Sequence, residues 1–328
     1  MLAGFRRAYA SPFLLLGLWL FNFVAAVPAA WIVAASLHRE IGATRAHEGL
    51  RDGFDMVWYG EYADRATGLG KTFRPTVTGV GPFLDNLDGW ITGKLFLHAP
   101  LVIGLAAAYG LVWILMLGGA VDRYVHGGEP AGPRRFIRAG KRFYFRFLRL
   151  ALLSGALYAA VYVVSARVFE GLKDWTRDVT VEGTLFFYSL CIWGAAAFLV
   201  TLVHMAFGYA KIATVAENRR SMLLAALRGL AFVVEHRKRT LGQYYGVLLI
   251  SAALLALFFV AAPGAGQSTP AGVLGAFCVG QLFLLARTYV RLSLLAGQTV
   301  LYSALTGAAA PQARGDAPGL VDPAPGSA

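Results

Sequence analysis

Six apolar stretches, with Lys and Arg crowded into only every second connection between them, leave this chain few ways to fold. A helix needs about 20 predominantly apolar residues to cross roughly 30 Å of hydrocarbon, and inside that layer only a helix or a closed barrel satisfies its own backbone. The stretches fall at about 12–36, 96–120, 147–168, 184–209, 241–262 and 273–293. Composition agrees: 57% of the residues are apolar and only 15% are charged, against about 25% charged in a soluble domain. The expected fold class is therefore all-α, a polytopic membrane helix bundle with about six transmembrane helices and amphipathic cytoplasmic hairpin helices.

Short loops rich in Lys and Arg resist translocation, so the charges also predict orientation. Arg6 and Arg7 precede the first span. Eight basic residues lie between 122 and 150 and seven between 211 and 240, with two acids in each segment. The segment 169–183 has two basic residues against four acids, and 263–272 has no charge. An arrangement with both termini in the cytoplasm satisfies all of these. The first connection, about 37–95, carries seven basic and eight acidic residues and falls outside by parity. A secretory signal would share the opening pattern of Arg6–Arg7, an apolar run and small residues at Ala25–Ala30. The run continues through Trp31–Leu37, beyond a usual signal core, which favours a retained span bent at Pro28.

The expected layout is one membrane domain over 1–306, with an outer loop at about 37–95, basic cytoplasmic hairpins at about 122–146 and 210–240, and a disordered cytoplasmic tail over 307–328. In the outer loop, residues 38–59 suit one or two amphipathic helices, whereas Gly68, Gly70, Pro75, Gly79, Gly81 and Pro82 break regular structure. The tail is built of Ala, Gly, Pro and Ser with little apolar bulk. Cys191 and Cys278 both fall inside spans and form no disulfide framework. Met116 and Met205, Gly119 and Gly208, Gly140 and Gly229, and Phe143 and Phe232 share an offset of 89 residues. That spacing suggests two copies of a unit built from a span, a basic hairpin and a return span, an arrangement known in transporters.

Two groups of residues stand out as candidate sites. At 100° per residue Arg134, Arg135, Arg138, Lys141, Arg142, Arg146 and Arg149 share an arc of about 140°, with Phe136, Phe143, Tyr144 and Phe147 opposite and Phe145 intruding. This pattern predicts a helix lying in the membrane interface, its rings among acyl chains and its cations at anionic headgroups; the same cations also serve as topological anchors. Residues Ser221–Val234 are apolar apart from Arg228 and span only about 21 Å as a helix, too short to cross. They predict an interfacial or re-entrant helix, with Arg228 snorkelling or paired with Glu217. In the last span Arg287, Arg291 and Gln298 fall in a sector of about 40°, a candidate contact for an anionic lipid or ligand or a pair of snorkelling anchors.

Catalytic signatures are missing: there is no phosphate-binding loop, nucleophile elbow or dinucleotide fingerprint. His38, Glu40, His47, Glu48, Asp52 and Asp55 match no metal spacing, and His98 and His204 read as hydrogen-bonded residues at span ends. No catalytic, cofactor or metal residue is expected. The net charge of +12 sits beside spans, which points to anionic membrane lipids rather than nucleic acid; an envelope protein or a second copy of the chain are the other candidate partners. Arg220-Ser221-Met222, Gly229, Phe232 and Arg239-Thr240-Leu241-Gly242 before a span resemble uncharacterised bacterial six-pass membrane proteins. That group is similar to the integral-membrane domain attached to some bacterial glycerophosphoryl diester phosphodiesterases. The resemblance covers about 96–306, brings no catalytic domain, and implies a bacterial plasma-membrane location with an undefined role. The expected function is non-enzymatic organisation of envelope lipids or partners, with transport of a lipid or small anion through Arg287 and Arg291 as the alternative and a membrane-embedded hydrolase as the second.

Overall fold

The computed structural model describes residues 1–43, 55–74, 76, 81–91, 100–127, 132–176, 182–262 and 269–307. Among these there is no strand. The helices are α1 (Leu2–Tyr9), α2 (Pro12–Ala43), α3 (Met56–Arg65), α4 (Gly81–Ile91), α5 (Pro100–His126), α6 (Pro133–Trp175), α7 (Glu182–Ala216), α8 (Met222–Glu235), α9 (Arg237–Ala261) and α10 (Pro270–Thr306), with a 3-10 turn at Gly68–Thr72. Six of them, α2, α5, α6, α7, α9 and α10, are long and apolar enough to cross a membrane. The fold is all-α, and the chain is a multi-pass membrane protein. The tail beyond 307, His98, and the loop residues His47, Glu48 and Asp52 lie outside the described residues.

Several helices outrun the apolar stretches that announce them. Helix α6 has 43 residues, about 64 Å of helix, twice what the hydrocarbon layer requires. The basic segment from Pro133 and the span after it are thus one rod rather than a separate interfacial helix and a span. Hydropathy falls at the arginines, but helix continuity depends on backbone bonding. No proline follows Pro133 in this helix, and its glycines cost only about 1 kcal/mol each. Helix α10 likewise runs on to Thr306. In the first connection Gly81 and Pro82 open α4 instead of breaking structure, because proline near a helix start loses a donor that has no partner there.

Close contacts divide the chain into two units: Met1–Leu117 with Val233–Gly297, and Gly118–Phe232 with Gln298–Ala328. In the first unit, α1 lies on α10: Gly4 is buried, a Cβ there would meet the Ser293 carbonyl oxygen and Gly297, and the Tyr289 hydroxyl donates to the Phe5 carbonyl at 3.1 Å. Helix α2 meets α10 through Trp19 Nε1 donating to Gln281 Oε1 at 3.2 Å and through Phe23 against Phe277. At the far end of α2, Trp58 and Tyr62 of α3 and Ala66, which follows it, pack with Leu37 and Ile41. Asp55 caps that helix by accepting from the Val57 and Trp58 amides.

The second unit is cored by Phe143 and Leu150 of α6, Met205 and Ile212 of α7, Phe232 of α8 and Tyr302 of α10, all buried. The Phe232 ring lies 4.7 Å from that of Tyr209 and 4.9 Å from that of Tyr302. Glycines let the backbones approach, as in other membrane helix contacts. A Cβ on Gly118 would sit 3.1 Å from Gly140 Cα, and one on Gly229 would come within 2.2 Å of the Ala206 carbonyl oxygen. Gly229→Ala is therefore expected to lower stability by about 1–3 kcal/mol through overpacking. Gly242→Ala, whose Cβ meets nothing within 4 Å, should be neutral or slightly stabilising; thermal melts of the purified proteins in detergent check both.

Candidate functional site

Helix periodicity puts Arg287 and Arg291 one turn apart on α10, and both are exposed. The Arg291 guanidinium lies over the Trp113 ring of α5, 4.6 Å from its centroid. One turn earlier on α5, Tyr109 stacks on Trp113 at 6.1 Å, and Phe21 of α2 stacks on both, at 5.5 and 6.3 Å. The Tyr109 hydroxyl donates to Asn22 Oδ1 at 2.6 Å, while Asn22 Nδ2 donates to the Leu18 carbonyl at 2.8 Å. Tyr109 is within electrostatic reach of both arginines. The result is an aromatic wall with two cations at its edge, all within the first unit.

The charges are poorly compensated. Among the described residues, no carboxylate forms an ion pair with Arg287 or Arg291. An arginine near the centre of an inserted helix costs about 2.5–3.5 kcal/mol, and a cation over a ring returns about 0.5–2 kcal/mol. The remaining deficit is met by water, by headgroups reached by snorkelling, or by an anion. The arginines lie near the midpoint of α10, because the helix extends well past them. Gln298, predicted to share their sector, is buried, with its amide packed at Gly208 of α7, where a Cβ would meet it at 3.0 Å. The structure thus brings Arg287 and Arg291 to Tyr109 and gives Gln298 a separate packing role.

In the second unit, the cations of α6 face outward: Arg134, Arg135, Arg138, Lys141, Arg142 and Arg149 are exposed, and Arg146 is half-buried. Of the rings opposite them, Phe143 and Phe147 do not face acyl chains, since each is 1% exposed, inside the protein, whereas Phe136 and Tyr144 are half-buried. Arg142 and Arg146 lie 5.3 and 5.5 Å over the Phe143 ring. Arg146 Nη1 also donates to Asn218 Oδ1 at 2.8 Å and to the Arg219 carbonyl at 3.2 Å. Its partner is a helix terminus. Asn218 has φ 47, and the amides of Asn218 and Arg219 return to the carbonyls of Val215 and Thr214, the paired bonds of a Schellman cap. Asparagine is one of the few side chains that tolerates this backbone.

Beside the cap, Glu217 accepts from the Tyr302 hydroxyl of α10 and from Arg219 Nε. Burial pushes its carboxyl up, but these two hydrogen bonds and the charges of Arg219 and Arg228 outweigh that, so it titrates below its ordinary value. The Arg228 charge thus acts on Glu217, but the ion pair that Glu217 makes among the described residues is with Arg219. Elsewhere, Cys191 and Cys278 are free and exposed, His204 Nδ1 lies 3.5 Å from the Tyr158 hydroxyl, and no cluster among the described residues offers a metal site. No family model matches the chain, and no curated protein or solved structure matches it.

Of the residues that build these sites, Trp113, Tyr109, Asn22 and Asn218 escaped the sequence reading. Tyr109 and Trp113 do stand four apart, the spacing that stacks rings on one helix face. Because the folded Glu217 value is depressed, its contribution to stability is complete above the unfolded glutamate value of about 4.3 and disappears as pH falls through the lower folded value. Melting temperatures measured in detergent across that acid range should fall less steeply for Glu217→Gln than for the parent, and Tyr302→Phe should reduce the same slope.

Proposed function

We propose that the protein is a non-enzymatic, multi-pass protein of a bacterial plasma membrane, with both termini in the cytoplasm, that gathers anionic phospholipid at its basic helix surfaces. One observation carries this reading. The first half of α6 presents six exposed cations, Arg134, Arg135, Arg138, Lys141, Arg142 and Arg149, and among the described residues none of these six has a carboxylate partner. Each cation near an anionic leaflet contributes about 1 kcal/mol, so a row of them concentrates acidic headgroups beside the chain. The alternation of basic connections supports the cytoplasmic placement. The hydropathy and hairpin likeness to bacterial six-pass membrane proteins supports the compartment.

A second reading, transport or specific retention of a single anionic amphiphile, is favoured by the cluster around Arg291. An aromatic wall for an apolar chain beside two uncompensated guanidinium groups suits a phosphate-bearing lipid. Native mass spectrometry of protein extracted with its own lipids tests both readings. Under the first, replacing Arg134, Arg135, Arg138 and Lys141 with Gln strips much of the bound acidic lipid, and the loss follows ionic strength. Under the second, one defined lipid survives that change and high salt and is lost in a folded Arg287→Ala/Arg291→Ala variant. Spectra without acidic lipid in parent and variants alike would overturn both readings.

A further inference from the structure

The 89-residue offset seen in the sequence recurs in the folded hairpins of the second unit. Helix α6 begins at Pro133 and α8 at Met222, 89 residues apart. In the preceding helices the buried positions correspond: Ala120, Val121, Tyr124 and Val125 on α5, and Tyr209, Ala210, Ala213 and Thr214 on α7. Gly140 packs on Gly118 and Gly229 on Ala206 and Ala210, while Phe143 and Phe232 are both buried. Inward, the two hairpins are built to one pattern.

Outward, they are opposites. Arg134, Arg135, Arg138 and Lys141 of α6 correspond to Leu223, Leu224, Leu227 and Leu230 of α8, and all eight are exposed. The leucines are 60%, 55%, 53% and 39% exposed, so packing within the chain does not cover that face. Helix α8 also differs in continuity: it ends at Glu235, and α9 starts only at Arg237, whereas α6 runs on into its span. Its 14 residues reach about 21 Å, less than the hydrocarbon thickness.

We infer that α8 is a membrane-inserted helix, lying in one leaflet with its leucine face against acyl chains, while the corresponding part of α6 stays at the headgroups. Three features select lipid over a protein partner. The leucine face is bounded in sequence by Arg219–Arg220 before it and by Arg237, Lys238 and Arg239 after it. Of these five cations, all but Arg219 are exposed. Apolar faces flanked by basic residues are the pattern of helices held at anionic lipid surfaces. Gly229 packs against Ala206 and Ala210, in the last part of the apolar span of α7, which puts α8 beside the end of a membrane-crossing helix. Finally, the sister segment in the same fold position has basic side chains at every matching place, so the leucines are a property of this copy and not of the packing pattern.

The inference is tested on the full chain, with Cys191→Ala and Cys278→Ala removing the native thiols. A nitroxide is attached at Leu224→Cys, Leu227→Cys or Arg138→Cys in vesicles of phosphatidylethanolamine and phosphatidylglycerol. Insertion predicts that labels at 224 and 227 relax several-fold more with oxygen than with a water-soluble nickel chelate, and that the label at 138 does the reverse. Leucine-face labels that meet the nickel chelate freely would overturn the proposal. So would spin–spin broadening that disappears on dilution with unlabelled protein, which would assign the face to a second copy, or shielding from both reagents, which would assign it to a protein partner. The outcome is independent of whether Arg287 and Arg291 retain a lipid.

Discussion

Every helix in this protein that enters hydrocarbon must satisfy its own backbone, because no water is present there to take an open amide or carbonyl. That demand explains the absence of strands among the described residues and the length of the helices. Pro28 stands inside α2 all the same, since in a helix bundle neighbouring groups can satisfy the carbonyl that a proline frees. At the end of α7, Asn218 adopts a left-handed backbone and closes the terminal carbonyls. Its side chain then accepts Arg146 of α6. One backbone requirement thus fixes the position of a charged side chain on a neighbouring helix.

Helix association in lipid gains little from burying apolar surface, so close approach and polar contacts take over. Gly118 on Gly140 and Gly229 on Ala206 show the first; Tyr302 with Glu217, and Trp19 with Gln281, show the second. The same economy leaves cations conspicuous wherever no acid accompanies them. Arg219 has Glu217 as an ion-pair partner, and Arg228 interacts with the same carboxylate through its charge. Arg291 has an aromatic ring, as do Arg142 and Arg146, and among the described residues Arg134, Arg135, Arg138 and Lys141 of the α6 row have neither. The compensation missing within the chain is what makes the acidic components of a bilayer the natural partners of these surfaces.

The all-α class and the six spans were legible because hydropathy is a local sum over about 20 residues and the spans lie close to those sums. The pairing of Arg287 with Arg291 was legible for a similar reason, since four residues make one helical turn. The direction of the α6 rings was not. An amphipathic helix has an apolar face whether that face meets acyl chains or protein, and Phe143 and Phe147 turned to protein. Gln298 shared an angular sector with the two arginines, yet it packs at Gly208.

By itself, then, the sequence determined where the chain can cross a membrane, where its basic charge gathers, and that Gly140 and Gly229 repeat with Phe143 and Phe232, because each is a property of neighbours along one helix. Tertiary structure decided that Trp113 and Tyr109 would wall the Arg291 site, that Tyr302 would hold Glu217, and that two hairpins alike inside would present arginines on one and leucines on the other. Those outcomes depend on which helix faces meet and at what register, and they involve residues far apart in sequence, which no local periodicity can pair.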